Sequence, residues 1–238
     1  MKIAALLLAK SKSSFKDKNI IPVNGKPVMS YPMLCAKNVK GITNFYISSD
    51  SEKYLSIANE YGYVGILRPK SLSTKTAKSD DAVKHAHDTV SEIKNSDILI
   101  VQHANVVTIY PELIEIAIKI LKDNKEITSV VPAHINMEYN PYRCFFLDDK
   151  KNLKPSMDNM AKMSPNRQEL PSSLFLDHSF WCIRTSNINS NFSFSPWNSL
   201  GDKIRPIVCE DMFDIHDEED LKKSINWLKL NKEKLNYL

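Results

Sequence analysis

The sequence predicts an α/β fold with a mostly parallel sheet, and three observations carry that expectation. Short apolar runs at Ile3–Ala9, Asp97–Gln102 and Thr128–Pro132 read as strands buried on both faces. Stretches with apolar residues at helical spacing separate them, as right-handed β-α-β crossovers require. No repeat of solenoid period interrupts this alternation. With 238 residues the chain is long enough for one large domain, or a domain carrying a sub-lobe.

Taken in order, Ile3–Ala9 opens the sheet and runs into a polar loop. Met29–Val39, after Pro27, has helical spacing, and Phe45–Ser49 returns to strand chemistry. In Ser51–Tyr61, Tyr54, Ile57, Ala58 and Tyr61 share one helical face. Tyr63–Leu67 is a short strand, Asp80–Ile93 a helix, Asp97–Gln102 a strand and Pro111–Lys122 a helix. After the strand Thr128–Pro132, turn formers and prolines crowd residues 133–195, where a sub-lobe inserted into the main domain is expected. Phe180 and Trp181 within this stretch read as strand core. The chain closes on a helix with Asp217 as N-cap, Asp220 three residues later, and Leu221, Ile225 and Leu228 as the buried stripe.

Composition narrows the function classes. Residues of the hydrophobic set make up 42%, too many for a disordered chain. The net charge of +4 is too small to imply a nucleic-acid partner, and it is compatible with an anionic small substrate. The apolar start is too short to span a bilayer, so a cytoplasmic protein without a membrane partner is expected. Cys35, Cys144, Cys182 and Cys209 lie far apart with no C-x-x-C pair, which points to reduced thiols.

In open α/β sheets ligands sit beyond the carboxyl ends of the strands. The loop Lys10-Ser-Lys-Ser-Ser-Phe-Lys-Asp-Lys-Asn19 follows the first strand and carries four lysines and three serines. Ammonium and hydroxyl groups there suit a polyphosphate, although no P-loop glycine pattern is present. The other stretches at strand ends are Ser48–Asp50, Gln102–Asn105 and the residues around Asp214. Asp50 reads as a helix cap, and His103 as either a ligand contact or a packing residue. His85 and His87 face apart on a helix and read as structural.

An ordered set of motifs then resembles the acylneuraminate cytidylyltransferases, the CMP–sialic acid synthetases. It comprises Lys18-Asn19-Ile20, Gly25-Lys26-Pro27, Ser48-Ser49-Asp50-Ser51, Arg68-Pro69, Thr74 to Asp81, Gln102, Asn140-Pro141, Arg167-Gln-Glu-Leu-Pro171, Gly201 to Pro206, and Asp214-Ile215-His216. The resemblance implies a Rossmann-like, GT-A-type nucleotidyltransferase, with residues 1–238 as a single domain and 133–195 as a sub-lobe for sugar binding and dimerisation. It also implies transfer of CMP from CTP to the anomeric hydroxyl of a nonulosonic or related keto-deoxy sugar acid, in a homodimer.

Carried over residue by residue, Lys10, Lys18 and Asp214 become catalytic. Lys10, Ser11, Lys18, Asn19, Arg68 and Ser79 bind the nucleotide. Gln102, Asn105, Arg143 and Arg167 meet the sugar acid, with Arg143 on its carboxylate. Asp214 and His216 hold Mg²⁺, or Mn²⁺ in view of the imidazole. His216 reads equally as a backbone-bonded helix entry, and Glu210 or Asp211 as a substitute carboxylate. Three departures stand out: the first loop lacks the family's Gly-Gly, His103-Ala-Asn-Val replaces Pro-Thr-Ser-Pro, and His216 replaces an aspartate. Two alternatives follow, a nucleotidyltransferase for a different sugar or sugar phosphate, and a non-catalytic nucleotide-binding protein.

Overall fold

A computed structural model of the chain describes residues 1–12, 15–157, 164–190, 196–209 and 212–238. Strand β1 (Ile3–Ala9) is buried at every position. After it come the short hairpin β2 (Pro22–Val23) and β3 (Lys26–Pro27), α1 (Ser30–Lys37), β4 (Ile42–Ser49), α2 (Glu52–Glu60) and β5 (Val64–Leu67). The expected helix over 80–93 is two helices, α3 (Ser79–Thr89) and α4 (Ser91–Lys94). Thr89 turns its hydroxyl back to the His85 carbonyl at 2.6 Å, and Val90 takes an extended conformation. Two successive β-branched residues make a weak place in a helix.

Next are β6 (Ile98–His103), α5 (Pro111–Asp123), β7 (Ser129–Ile135), the hairpin β8 (Phe145–Leu147) and β9 (Leu153–Pro155), β10 (Leu174–Leu176), β11 (Phe180–Arg184), β12 (Ile204–Val208) and α6 (Glu218–Leu230). In α5, Pro111 starts the first turn, and Leu113, Ile114, Ala117, Ile118 and Leu121 bury one face. Asp217 caps α6 by accepting the Asp220 amide at 3.0 Å. Leu221 and Ile225 are only half-buried, because Trp227 and Leu228 carry the inward face.

The main sheet has eight strands in the order β10-β7-β11-β6-β1-β4-β5, with β12 against β7. β1 pairs in parallel with β4 and β6, β4 with β5, and β7 with β12. β11 is antiparallel to both β6 and β7, so all the other long strands point the same way. α1 and α5 cover one face, packing on Ile3, Ala5, Ile98 and Ile100. α3 and α4 cover the other, packing on Ala4, Leu6, Leu8, Leu99 and Val101.

The expected sub-lobe over 133–195 therefore contains strands of the main sheet. β7 continues to Ile135, and β10 and β11 return the chain to it over 174–184. Among the described residues the excursion from the sheet is narrower, 136–157 and 164–173, and carries the β8–β9 hairpin. β10 and β11 behave as one strand interrupted at 177–179, since Leu176 faces Ala133 and the pairing resumes at Cys182 opposite Val130. The surplus residues bulge at the carboxyl end of β6.

Gly201 has φ of 77°, and a Cβ there would lie 2.6 Å from Thr128 Cβ. Thr128 has no freedom to retreat, because its Oγ1 donates to the Leu200 carbonyl and accepts the Lys203 amide, each at 2.9 Å. Gly201→Ala is expected to cost roughly 2–4 kcal/mol through left-handed strain and overpacking. The urea midpoint of unfolding measures it; an unchanged midpoint contradicts this account.

Candidate active site

A cavity of about 520 Å³ opens at the carboxyl ends of β1, β5 and β6. Among the described residues its cationic lining is Lys10, Lys12, Lys18, Arg68, Lys75 and Lys78, against the carboxylate of Asp214. Of the residues expected from sequence, Lys10, Lys18, Asn19, Arg68, Ser79, Asn105, Asp214 and His216 all line it. They come from positions up to two hundred residues apart, brought together because parallel strands end on one edge.

The lysines are held rather than merely present. Lys10 Nζ donates to the Thr74 carbonyl at 2.9 Å, and burial together with nearby Arg68 lowers its pKa. Lys18, buried, donates to the Ile215 carbonyl at 2.7 Å. Burial lowers its pKa too, while Asp214 works to raise it. Arg68 is buried with one guanidinium nitrogen on the Ser48 carbonyl at 2.7 Å, leaving Nε without a partner. Asn19 Nδ2 donates to the Lys10 carbonyl at 3.1 Å, tying the start of the basic loop to its end.

Ser11 departs from expectation. Its amide and hydroxyl both donate to the Asp50 carboxylate, at 2.9 and 2.6 Å, so they anchor the loop and do not face the cavity. Burial works to raise the Asp50 pKa, but the two bonds from Ser11 and the charge of Arg68 hold it below the ordinary value. Asp50 is not the cap of α2 expected from sequence; Ser51 caps it, accepting the Tyr54 amide. In a loop without Gly-Gly, this anchor fixes the backbone that glycine would otherwise let approach a phosphate.

Gln102 is a second correction. It is fully buried, and its Nε2 donates to the Pro32 carbonyl at 2.9 Å. The alternation of β6 explains this: Gln102 pairs with Leu7 on the α1 face, while His103 pairs with Leu8 on the face that opens into the cavity. Arg143 and Arg167 do not line the cavity either. Both stand on Glu138, Arg143 at 3.7 Å and Arg167 in direct contact with the other carboxylate oxygen. All three lie on segments beyond the carboxyl end of β7 or just before β10, the same sheet edge as the cavity.

The acidic end is built by pairing residues 105–108 with 213–215. Val106 bridges Asp214, the Ile215 amide donates to the Asn105 carbonyl at 2.9 Å, and Asn105 Nδ2 reaches both Asp214 Oδ2 and the Ile215 carbonyl at 3.2 Å. His216 Nε2 sits 2.9 Å from Asp214 Oδ2, and its amide donates to Asp220 at 2.9 Å. The imidazole is therefore in direct contact with the carboxylate. Glu210 and Asp211 lie outside the described residues. Among the described residues no three His, Cys, Asp or Glu side chains converge as a metal cage. One carboxylate facing a cationic cavity suits a hard cation that takes its remaining ligands from phosphate oxygens and water.

Sequence reasoning gave no role to Lys75 and Lys78, whose signal is their position in the loop between β5 and the start of α3. It also missed Asp177, buried in the bulge with Oδ1 accepting the Ser179 amide at 2.8 Å. Burial pushes its carboxyl up to about 6, against the pull of the Ser179 bonds. A carboxyl raised in the folded state favours folding fully below the unfolded value of 3.8, and that contribution disappears as pH rises through about 6. Asp177→Asn, whose amide oxygen can still accept from Ser179, is thus expected to be more stable than wild type at pH 7.5. The gain should reach about 3 kcal/mol at most and vanish near pH 3.5. Urea unfolding at the two pH values checks it, and a destabilised variant at pH 7.5 refutes it.

The family model described as "Cytidylyltransferase" matches residues 4–178. The chain is 32% identical over 151 residues to "Pseudaminic acid cytidylyltransferase and UDP-2,4-diacetamido-2,4,6-trideoxy-beta-L-altropyranose hydrolase" of Helicobacter pylori, covering 63% of this chain and 29% of that protein. It is 31% identical over 99 residues to the N-acylneuraminate cytidylyltransferase of Escherichia coli, covering 41% and 24%. Against the 8-amino-3,8-dideoxy-manno-octulosonate cytidylyltransferase of a Shewanella strain it is 26% identical over 163 residues, covering 67% and 62%. The match thus spans under a third of the first two relatives and less than two thirds of the other. Among solved structures, CMP:2-keto-3-deoxy-manno-octonic acid synthetase complexed with CTP superposes with a TM-score of 0.72 at 15% identity, over 97% of this chain and 99% of that one. The 4-diphosphocytidyl-2C-methyl-D-erythritol synthase of Anaerococcus prevotii gives 0.63 at 13%, over 96% of each chain. These likenesses show the fold.

Proposed function

This chain belongs to the cytidylyltransferase family, and on that premise we propose that it transfers CMP from CTP to the anomeric hydroxyl of a keto-deoxy sugar acid. The observation that carries the reading is the cavity itself, where the described residues set six cations around one carboxylate at the carboxyl edge of the sheet. In the reaction the anomeric hydroxyl oxygen bonds to the α-phosphorus in line and gives up its proton to solvent, the bond from that phosphorus to the β-phosphate oxygen breaks, and pyrophosphate leaves. Such a step needs positioning and charge neutralisation more than covalent chemistry. Lys10 and Lys18, with Lys12, Lys75 and Lys78 around them, supply the charge; Arg68, Asn19 and Ser79 hold the nucleoside.

Asp214 would hold Mg²⁺, or Mn²⁺ as the alternative, and the ion would supply charge neutralisation at the phosphates. Asn105 and His216 keep the Asp214 carboxylate aimed into the cavity. Arg143 and Arg167 converging on Glu138 support an acidic substrate, because two guanidinium groups on one carboxylate are a carboxylate-binding arrangement. The β8–β9 hairpin exposes Phe145, Phe146, Leu147 and Leu153, an apolar face that a second copy of the chain would cover. Light scattering at twice the monomer mass tests that homodimer, and a monomer at micromolar concentration rejects it. No helix among the described residues is long and apolar enough to cross a membrane. A reaction that consumes CTP belongs in the cytoplasm, where that nucleotide is made.

The test is pyrophosphate release from CTP, with Mg²⁺ and then Mn²⁺, over a panel of nonulosonic acids and Kdo. Release with one acid establishes the reaction and names the substrate. Release with a sugar phosphate instead moves the chain to the alternative reading, and CTP binding without turnover of any acceptor supports the non-catalytic one.

A further inference from the structure

Glu138, Arg143 and Arg167 each stand on a turn that an asparagine side chain builds. Asn136 Oδ1 accepts the Glu138 amide at 2.9 Å and the Tyr139 amide at 3.3 Å. Asn140 Oδ1 accepts the Tyr142 amide at 3.0 Å just ahead of Arg143, and Asn166 Oδ1 accepts the Gln168 amide at 3.2 Å across Arg167. The three turns are also tied together. Asn140 is buried, and its Nδ2 donates to the Pro171 carbonyl at 2.9 Å, while the Asn136 amide donates to the Ser173 carbonyl at 3.1 Å. The turns of Glu138 and Arg143 are therefore fastened to the segment that follows Arg167.

The side chains are held far less firmly than this backbone. Arg167 Nη1 touches Glu138 Oε1 directly, whereas Arg143 Nη1 is 3.7 Å from Oε2, within reach of an ion pair and too far for a hydrogen bond. Among the described residues neither guanidinium pairs with any other carboxylate, and the neighbouring Glu169 is turned to Asn166 Nδ2 at 3.3 Å. The Glu138 side chain is 61% exposed. Exposed ion pairs are nearly balanced against water, with the joined form roughly one to five times as populated as the open one. Glu138 can thus swing out at little cost and leave two guanidinium groups, on fixed turns, without a partner.

We propose that Glu138 is an internal stand-in for the carboxylate of the acceptor: it occupies Arg143 and Arg167 until the sugar acid displaces it, and so sets how tightly and how selectively the acid binds. The inference rests on the sugar-acid reading and deepens it by naming the residue that competes with the substrate. A tethered carboxylate is present at an effective concentration that a free anion has to match. A small anion with a carboxylate alone gains no more from the arginines than Glu138 does, and is kept out. A sugar acid brings further contacts from its ring and displaces Glu138, so the same competition separates the acceptor from simpler acids.

The test is steady-state pyrophosphate release by the full chain, with CTP and the acid it accepts, in wild type and Glu138→Gln. Competition from a joined form one to five times as populated as the open one raises the wild-type KM for the acid by roughly two- to sixfold. Glu138→Gln should lower that KM by the same factor without a matching change in the KM for CTP, and misfolding does not tighten binding. Sodium acetate, set against sodium chloride at equal ionic strength, should compete with the acid more strongly in Glu138→Gln than in wild type. In an Arg167→Gln background, where the acid binds more weakly, adding Glu138→Gln should bring much less of this gain. A KM for the acid that is unchanged or raised in Glu138→Gln, with pyrophosphate still released, overturns the proposal and leaves the cytidylyltransferase reading standing. Folded wild type that releases pyrophosphate with no acid overturns the sugar-acid reading itself, and the proposal falls with it.

Discussion

Lys18→Met is expected to lower the rate of pyrophosphate release by roughly 10²–10³-fold, the usual cost of removing one preorganised charge from a transition state. Lys18 is only 9% exposed and stands between the cavity and the segment carrying Asp214, with its Nζ 2.7 Å from the Ile215 carbonyl. Its charge counters both the phosphates and Asp214, so the variant leaves a carboxylate without its nearest buried cation. Because negative charge builds on the departing pyrophosphate, kcat should fall more than CTP affinity does. Lys18→Arg should not restore activity, since a planar guanidinium does not fit the slot of a compact ammonium. Steady-state kinetics with a parallel melting curve separates this loss from misfolding. Turnover within threefold of wild type would remove Lys18 from the catalytic set.

Asp214→Asn carries the second large effect, about 10³-fold in turnover. Asp214 is the one carboxylate among the described residues that line the cavity. Its substitution removes the hard oxygen charge that a phosphate-bound cation needs while preserving size and the bond to Asn105. The response of activity to added Mg²⁺ should flatten in the same variant. His216→Ala should cost much less, roughly 10-fold, the range for removing a partner that orients a ligand without being one. A His216 effect as large as that of Asp214, together with activity in Mn²⁺ but not Mg²⁺, would show the imidazole to be a ligand. Unchanged metal-dependent turnover in Asp214→Asn would remove this residue from the metal site.

Most of the fold was readable because burial on two faces leaves an unmistakable trace. Ile3–Ala9 is a strand with the same limits in both readings, and the capped start of α6 at Asp217 coincides as well. The misreadings cluster where local pattern and tertiary pairing disagree. Phe180 and Trp181 read as strand core and are buried in β11, but their stretch was assigned to a sub-lobe, and only the pairing with both β6 and β7 makes it central to the main sheet. Gln102 was placed in the cleft by motif, yet the period of two along β6 turns it under the sheet and presents His103 instead. Ser11 and Asp50 are thirty-nine residues apart, so no local rule linked them.

By itself the sequence determined the alternating α/β architecture, the basic loop at the end of the first strand, and the identity of most residues that line the cavity. The architecture and the placing of the basic loop depend on short-range periodicity and on the rule that parallel strands deliver their loops to one edge, and the individual cavity residues on the ordered motifs of the family resemblance. Only the tertiary structure decided which of those residues face a ligand and which hold the ones that do. Asp50 restrains Ser11, His216 and Asn105 restrain Asp214, and Glu138 gathers Arg143 with Arg167. Three of those contacts, Ser11 with Asp50, Asn105 with Asp214 and Arg167 with Glu138, join residues far apart along the chain, and all of them depend on side-chain placement, because a hydrogen bond or ion pair is a property of position and not of residue type.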